Sequence, residues 1–389
     1  MYRLFYTDEK TDNRFFQLML GRQPSYGWIL IEEMDEKTSV FVFLDGRYVE
    51  KDFSVPTSEI RQILWGEKEV LLEKIKLDKK IDEFLVGYLA DWSEIVLEKQ
   101  MPYGVVENLQ NSEVLWGRNI RFVFDEEHWQ DGLRVSKSDD NIVHIQQAIE
   151  LTDQIWSFIC DLAAQGQLIW MTEIALRGKV IDYAMSLWLE DEAFPTIVAT
   201  WANSAIPHHA TWDSVIWAGP LLVDMWFRWQ GWCSDFTRVV WITEHEKSSP
   251  LAPLDEGGSD SITSNGMEEQ GGEKNKFDEV YDIVKQAYDA AVEKIAVWIP
   301  FKEIARAARD VIEQAWYGAY FTHSLGHGVG LDIHEAPRVS VKSEDVIQSW
   351  MVFTIEPGIY LPGQFGVRLE NVVIVNQSGE IEVVSRSRM

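Results

Sequence analysis

The chain has 389 residues, 46% of them hydrophobic and 25% charged, the balance of a soluble globular protein longer than one core usually spans. Its formal net charge of −28 speaks against nucleic-acid binding, which needs clustered Lys and Arg. No run of about 18 apolar residues marks a membrane span, and MYRLFYTDEKTD lacks the basic start and apolar stretch of a secretion signal. Two cysteines, Cys160 and Cys233, are too few for a disulfide framework or a thiolate metal site, so a reducing cytoplasm is the expected location.

Residues 1–136 alternate strand-like and helix-like text. WILIEE, SVFVFLDGRY and RFVFDEEHW are dense in apolar and aromatic residues and predict strands, whereas EVLLEKIKLDKKIDEFLVGYL has helical spacing. No cluster of His, Asp and Glu there suggests chemistry. From Lys137 the text changes. SDDNIVHIQQAIELTDQIWSFICDLAA offers N-cap candidates, then Ile142, Ile145, Ile149, Thr152, Ile155 and Ile159 at three- and four-residue steps. A domain boundary is expected near residue 136, giving units 1–136 and 137–389. Beyond it, helices alternate with the strand-like runs PLLVDMWF, DFTRVVWI, MVFTIEPG and VRLENVVIV. Residues 247–276 are rich in Ser, Gly, Glu and Asp with almost no apolar anchors. They are expected to form a disordered acidic insertion, followed by a helix over FDEVYDIVKQAYDAAVEKI.

The chemistry gathers in the second unit. Asp224 lies in LLVDMWF and Asp235 in WCSDFTR. An odd separation on one continuous strand would put the two carboxylates on opposite faces. The spacing therefore predicts two strands joined by a turn around Gln230 and Gly231, with both side chains at one site. His327 follows in LGHGVG, Glu356 in TIEPG and Glu370 in VRLEN. A carboxylate directly before Pro-Gly, or inside an apolar strand, is unexpected unless it faces a partner. Taken singly, each acidic residue reads as solvent-facing and the histidine as structural; the combination changes that reading.

The stretches D-x-x-x-x-x-x-G-W-C-S-D-F-T-R, HSLGHGVGLDIHEAPR, MVFTIEPGIYLPG and GVRLEN resemble the pita-bread metallopeptidases, in particular the Xaa-Pro peptidases (prolidase and aminopeptidase P). The resemblance runs from about residue 137 to 386. The resemblance of the N-terminal unit to a creatinase-type α/β domain is carried mainly by LDGRY. It implies an α+β pita-bread catalytic domain behind a smaller α/β domain. It also implies five metal ligands, Asp224, Asp235, His327, Glu356 and Glu370, holding two divalent ions. An oxygen-rich set with one imidazole suits Mn2+ first, with Co2+ or Zn2+ as alternatives.

Such a pair of ions shares a water that becomes hydroxide near neutral pH, and Glu356 takes the position of the proton-shuttling ligand. His208, in the segment Ala202–His208, and His334 match the histidines that hold the substrate and stabilise the oxyanion; neighbouring His209 reads as structural. Arg338 matches an arginine that meets the carboxylate of a C-terminal proline. Arg368 reads as a group that orients a ligand carboxylate, and His323 as a pocket residue without an assigned role. The implied activity is metal-dependent hydrolysis of the bond between an N-terminal residue and proline, in a cytoplasmic homodimer acting on proline-containing peptides, with neither nucleic acid nor membrane as partner. Methionine aminopeptidase and a non-hydrolytic binding protein of the same fold are the alternatives.

Two departures stand out. Asn371 follows the last Glu where the family usually carries Asp. Eighteen tryptophans is a very high count, and Trp170, Trp188, Trp201, Trp226, Trp316 and Trp350 fall where the family carries glycine. Glycine at such places permits positive φ or close backbone approach, and an indole permits neither. Some of these positions are therefore expected to be glycine in the living protein, whereas Trp232 and Trp241 suit aromatics. The alternative is a divergent protein with tryptophan at each site.

Overall fold

The computed structural model describes residues 1–389 except 9–10, 12, 21–23, 25, 46–68, 78, 100, 126–131, 133, 244–264, 386 and 388–389. The chain divides into two units, Met1–Arg134 and Val135–Met389. Among the described residues no helix is long and apolar enough to cross a membrane.

In the first unit six strands, β1 (Tyr2–Asp8), β2 (Tyr26–Glu33), β3 (Lys37–Asp45), β4 (Glu69–Leu77), β5 (Glu94–Leu97) and β6 (Arg121–Phe124), form one sheet of order β4-β3-β2-β1-β5-β6. The β1–β2 and β2–β3 pairs are antiparallel and the rest parallel. Leu4, Leu30, Phe43 and Leu97 of this sheet pack against Leu85 and Leu109 of the helices Ile81–Tyr88 and Tyr103–Gln110.

The helix expected over EVLLEKIKLDKKIDEFLVGYL is only half correct. Glu69–Leu77 is a strand paired in parallel with β3 along its full length, and the helix starts at Ile81. Its apolar residues satisfy either period over so short a run, and sheet pairing decided the outcome. Of FLDGRY, Phe43–Asp45 end β3, while residues 46–48 lie outside the described residues.

The second unit opens with the helix Asp139–Ala164, capped by Ser138, whose Oγ accepts from Asn141 N. Its buried stripe includes Ile142, Ile145, Ile149, Thr152, Ile155 and Ile159. This helix and Glu173–Ser186 cover one face of a three-stranded antiparallel sheet of order β11-β8-β7, built from β7 (Ile197–Thr200), β8 (Gly219–Met225) and β11 (Phe236–Ile242). The short strands β9 (Arg228–Trp229) and β10 (Trp232–Cys233) form the ribbon between β8 and β11.

A second sheet has the order β13-β12-β14-β17-β18, from β12 (Gly326–Gly328), β13 (Glu335–Val339), β14 (Val352–Ile355), β17 (Asn371–Val375) and β18 (Ile381–Val383). The strands β15 (Gly358–Leu361) and β16 (Phe365–Arg368) pair separately. The helices Asn265–Val292 and Phe301–Gln314 share a second core with Leu222, Val239, Phe353 and Ile355 from both sheets.

Two further expectations need correction. The acidic insertion is not without structure to its end, because an α-helix begins at Asn265; residues 247–264 lie outside the described residues. The text from 267 to 276 contains Met, Glu, Gln and Lys, good helix formers, and Lys274 Nζ pairs with Asp278 one turn on at 2.5 Å. Glu370 is not inside a strand; with Leu369 it links β16 to β17.

Candidate metal centre

Sheet geometry explains why the acidic residues meet. Along β8, Leu221, Val223 and Met225 enter the core under the first helix pair, so Leu222 and Asp224 face the other way. Asp224 lies directly opposite Thr237 of β11, and Asp235 sits one residue before that strand begins. The turn between them forms at Gln230 (φ 50°) and Gly231 (φ 82°), the two positive values of a hairpin turn that matches strand twist.

In the second sheet the last β14–β17 pair is Ile355 with Asn371, so Glu356 and Glu370 follow at the open end of that ladder. His327 is carried in by β12, whose flanking glycines are dictated by close approach. A Cβ on Gly326 would lie 2.0 Å from Thr354 O, and one on Gly328 would lie 2.2 Å from Ala336 O.

Asp235, His327 and Glu370 each offer a ligand atom within 4.8 Å of the others. His327 Nε2 lies 3.4 Å from Asp235 Oδ2 and 3.6 Å from Glu356 Oε1. Its Nδ1 is 3.1 Å from Gly328 O, so the proton sits on Nδ1 and the Nε2 lone pair faces the carboxylates. Both oxygens of Asp235 and Oε1 of Glu370 are buried without a hydrogen-bond partner.

Burial and mutual repulsion push the carboxyl groups upward: Asp235 and Glu356 well above the usual range, and Glu370 to about 7. Burial drives His327 down to about 3. A buried anionic cluster short of donors, facing a neutral imidazole, has the donor chemistry of a divalent-cation site.

Arg368 organises the neighbouring carboxylates. It donates to Asp224 Oδ2, and its Nε donates to Thr237 Oγ1 at 3.0 Å. Thr237 in turn donates to Glu370 Oε2 at 2.6 Å. Arg368 Nη1 donates to the Tyr360 hydroxyl at 2.9 Å, and that hydroxyl meets His323 Nε2 at 2.9 Å. His323 Nδ1 is 2.7 Å from Ser324 O, and burial lowers its pKa to about 4, so it is neutral and accepts from Tyr360.

Around this cluster, His334 stacks edge-on to His327 with ring centroids 4.3 Å apart, and His208 lies 6.3 Å from the Phe194 ring. Both histidines are exposed. Partial desolvation by the groups packed beside it lowers the pKa of His334, and nearby His208 adds to the shift. His209 instead points to buried Glu173, at 2.8 Å. Glu173 also accepts from Thr200 N and Asn203 Nδ2, and so pins the segment that carries His208.

Arg338 is exposed and lines a cavity of about 700 Å3 with His323 and Arg309. None of the five carboxylate and imidazole residues lies in the cavity wall. Asp224 is the odd member of the set, since its Oδ1 already accepts from Trp226 Nε1.

Sequence reasoning missed Glu173, Thr237 and Tyr360. Thr237 stands inside the SDFTR motif, and its place beside Asp235 was the available signal; Glu173 and Tyr360 carry none in one sequence.

Such a cluster in an α/β unit marks a metal-dependent enzyme. Residues 143–377 match the metallopeptidase family M24, and the chain belongs to that family. It is 32% identical over 324 residues to the Xaa-Pro dipeptidase of Pyrococcus horikoshii, covering 83% of this chain and 80% of that one. In structure it is similar to the prolidase from Pyrococcus furiosus, with a TM-score of 0.73 at 26% identity over 100% of this chain and 97% of that one. It is also similar to the X-Pro aminopeptidase from Thermotoga maritima, with a TM-score of 0.74 at 25% identity over 100% and 96%. The second unit accordingly has the pita-bread fold, with mixed α and β content.

Proposed function

We propose that this chain hydrolyses the peptide bond between an N-terminal residue and proline, with two divalent ions held by Asp224, Asp235, His327, Glu356 and Glu370. The observation that carries the reading is the donor-poor oxygens of Asp235 and Glu370 set against the His327 Nε2 lone pair. Bound there, the ions supply Lewis acidity and make water nucleophilic near neutral pH. The names of the curated and structural relatives favour Xaa-Pro substrates over methionine-terminated ones.

The remaining work falls to the chain's own groups. Glu356 accepts the proton of the attacking water and returns it to the leaving proline nitrogen. His334 and His208, at the rim, hold the scissile carbonyl and donate to the oxyanion as it develops. Arg368 fixes the carboxylate of Asp224 directly and that of Glu370 through Thr237. Arg338, directly opposite His327 in the β12–β13 pair, meets the carboxylate of a C-terminal proline, which favours dipeptides.

The ion is Mn2+ by donor hardness, with Co2+ and Zn2+ as competitors. The protein works as a cytoplasmic homodimer whose first unit is a creatinase-type domain. Proline release from an Xaa-Pro dipeptide and from an Xaa-Pro-Yaa tripeptide, with Mn2+ and then with chelator, tests this. Chelator-sensitive turnover of the dipeptide is expected; turnover of the tripeptide alone would transfer the assignment to an aminopeptidase P, and turnover of neither would refute it.

A further inference from the structure

Glycine adopts positive φ without steric penalty, whereas a residue with a Cβ is rare there and a bulky one rarer. Among the described residues, nine non-glycine positions have positive φ: Asn119, Gln230, and the tryptophans Trp92, Trp170, Trp188, Trp201, Trp298, Trp316 and Trp350. Asn is tolerated in this region, and Gln230 closes a two-residue hairpin turn. Tryptophan has no comparable reason to be there.

The helix ends supply an internal control. The helix Asp139–Ala164 closes on Gly166 (φ 70°), with Gln167 N donating to Leu162 O and Gly166 N to Ala163 O. This is the Schellman closure, which favours glycine. Glu173–Ser186 closes by the same two bonds, Leu189 N to Ala184 O and Trp188 N to Met185 O, with Trp188 at φ 66°. Phe301–Gln314 repeats them, Tyr317 N to Ile312 O and Trp316 N to Glu313 O, with Trp316 at φ 68°.

Burial does not compensate for the backbone strain. Trp316 is 92% exposed, Trp188 82%, Trp92 76% and Trp298 71%. Trp28, Trp156 and Trp232, by contrast, are buried and do not have positive φ.

We propose that the functional chain carries glycine at these seven positive-φ tryptophans and also at Trp226. A single cause covers the series, because the codon UGA is read as tryptophan in one genetic code and as glycine in another. Trp226 enters on separate grounds. Its Nε1 occupies Asp224 Oδ1, and its ring stands 5.2 Å from that of His334 and 4.8 Å from that of Phe194. Glycine there frees an Asp224 oxygen for an ion and opens the space between Asp224 and His334 to substrate. This last part rests on the metal-dependent reading above; the backbone argument does not.

The test begins with the gene and with protein purified from its native cells. UGA is expected at the eight positions and UGG at Trp28, Trp156 and Trp232. Peptide mass spectrometry should find glycine at 188, 226 and 316; tryptophan at 188 and 316 in the native protein would overturn the proposal.

Recombinant variants of the chain as written give a second readout. Trp188→Gly and Trp316→Gly should each raise Tm by roughly 2–4 °C, and an unchanged or lower Tm would contradict the backbone argument. Trp226→Gly should raise bound Mn2+ from a single ion to a pair by elemental analysis. An unchanged metal content would remove Trp226 from the proposal while the peptide masses still decide the other sites.

Discussion

Two buried carboxylates, Glu98 in the first unit and Asp235 in the second, are treated in opposite ways. In the first unit Glu98 accepts from Asn13 Nδ2 at 2.7 and 2.8 Å and from Tyr6 N at 3.1 Å. In the second unit Asp235 is buried with neither oxygen bonded, and burial first, then the charges of Glu370, Asp224 and Glu356, push its pKa upward. Burial alone therefore does not identify function. A buried carboxylate supplied with donors holds a fold together, whereas one without donors, facing other carboxylates, is arranged for a cation.

The sharpest way to break this contrast is to neutralise each member. Asp235→Asn should lower turnover by roughly 10³-fold or more, since the ions supply several kcal/mol of transition-state stabilisation. The same change should raise the Tm of the metal-free protein at pH 8, because it removes a repelled, desolvated charge. A metal-free Tm that fell would contradict the cluster's strain.

Next in size is Glu98→Ala, which removes the acceptor shared by Asn13 Nδ2 and Tyr6 N and should cost about 2 kcal/mol in denaturant melts. Its kcat should stay at the parent value, and a selective loss of kcat would blur the distinction between the two carboxylates.

Arg368→Lys keeps the charge but loses the fork that reaches Asp224, Thr237 and Tyr360. Metal affinity should fall by roughly 10–100-fold, measured by titration against a competing chelator.

The smallest effect concerns pH. In the metal-free protein the folded-state pKa of Glu370 is raised to about 7, so the folded chain binds more protons than the unfolded chain below that value. This contribution to stability is therefore present in acid and lost as pH rises through about 7. Saturating metal should flatten or reverse the slope, and a metal-free Tm that rose across this window would contradict the sign.

Much of the site was legible in the sequence because its residues sit at strand ends, where period two and one hairpin turn fix their direction. Asp224 and Asp235 follow from that arithmetic, whereas His327 was legible only through the motif it shares with the family; Thr237, opposite Asp224, was missed. Other features were not legible because they depend on contacts between distant segments. Glu173 holds His209 and Asn203 from a different helix, and Tyr360 joins Arg368 to His323. Glu69–Leu77 shows the opposite limit, a local pattern that fits helix or strand until β3 pairs with it.

The central claim is that the donor-poor cluster binds divalent ions for hydrolysis beside proline. Its most direct measurement is proline release from an Xaa-Pro dipeptide by protein from the native source, first as purified, then after chelation, then with Mn2+ restored. Turnover that disappears on chelation and returns with Mn2+ is the expected result. Turnover indifferent to chelator, or absent while metal is bound, would contradict it.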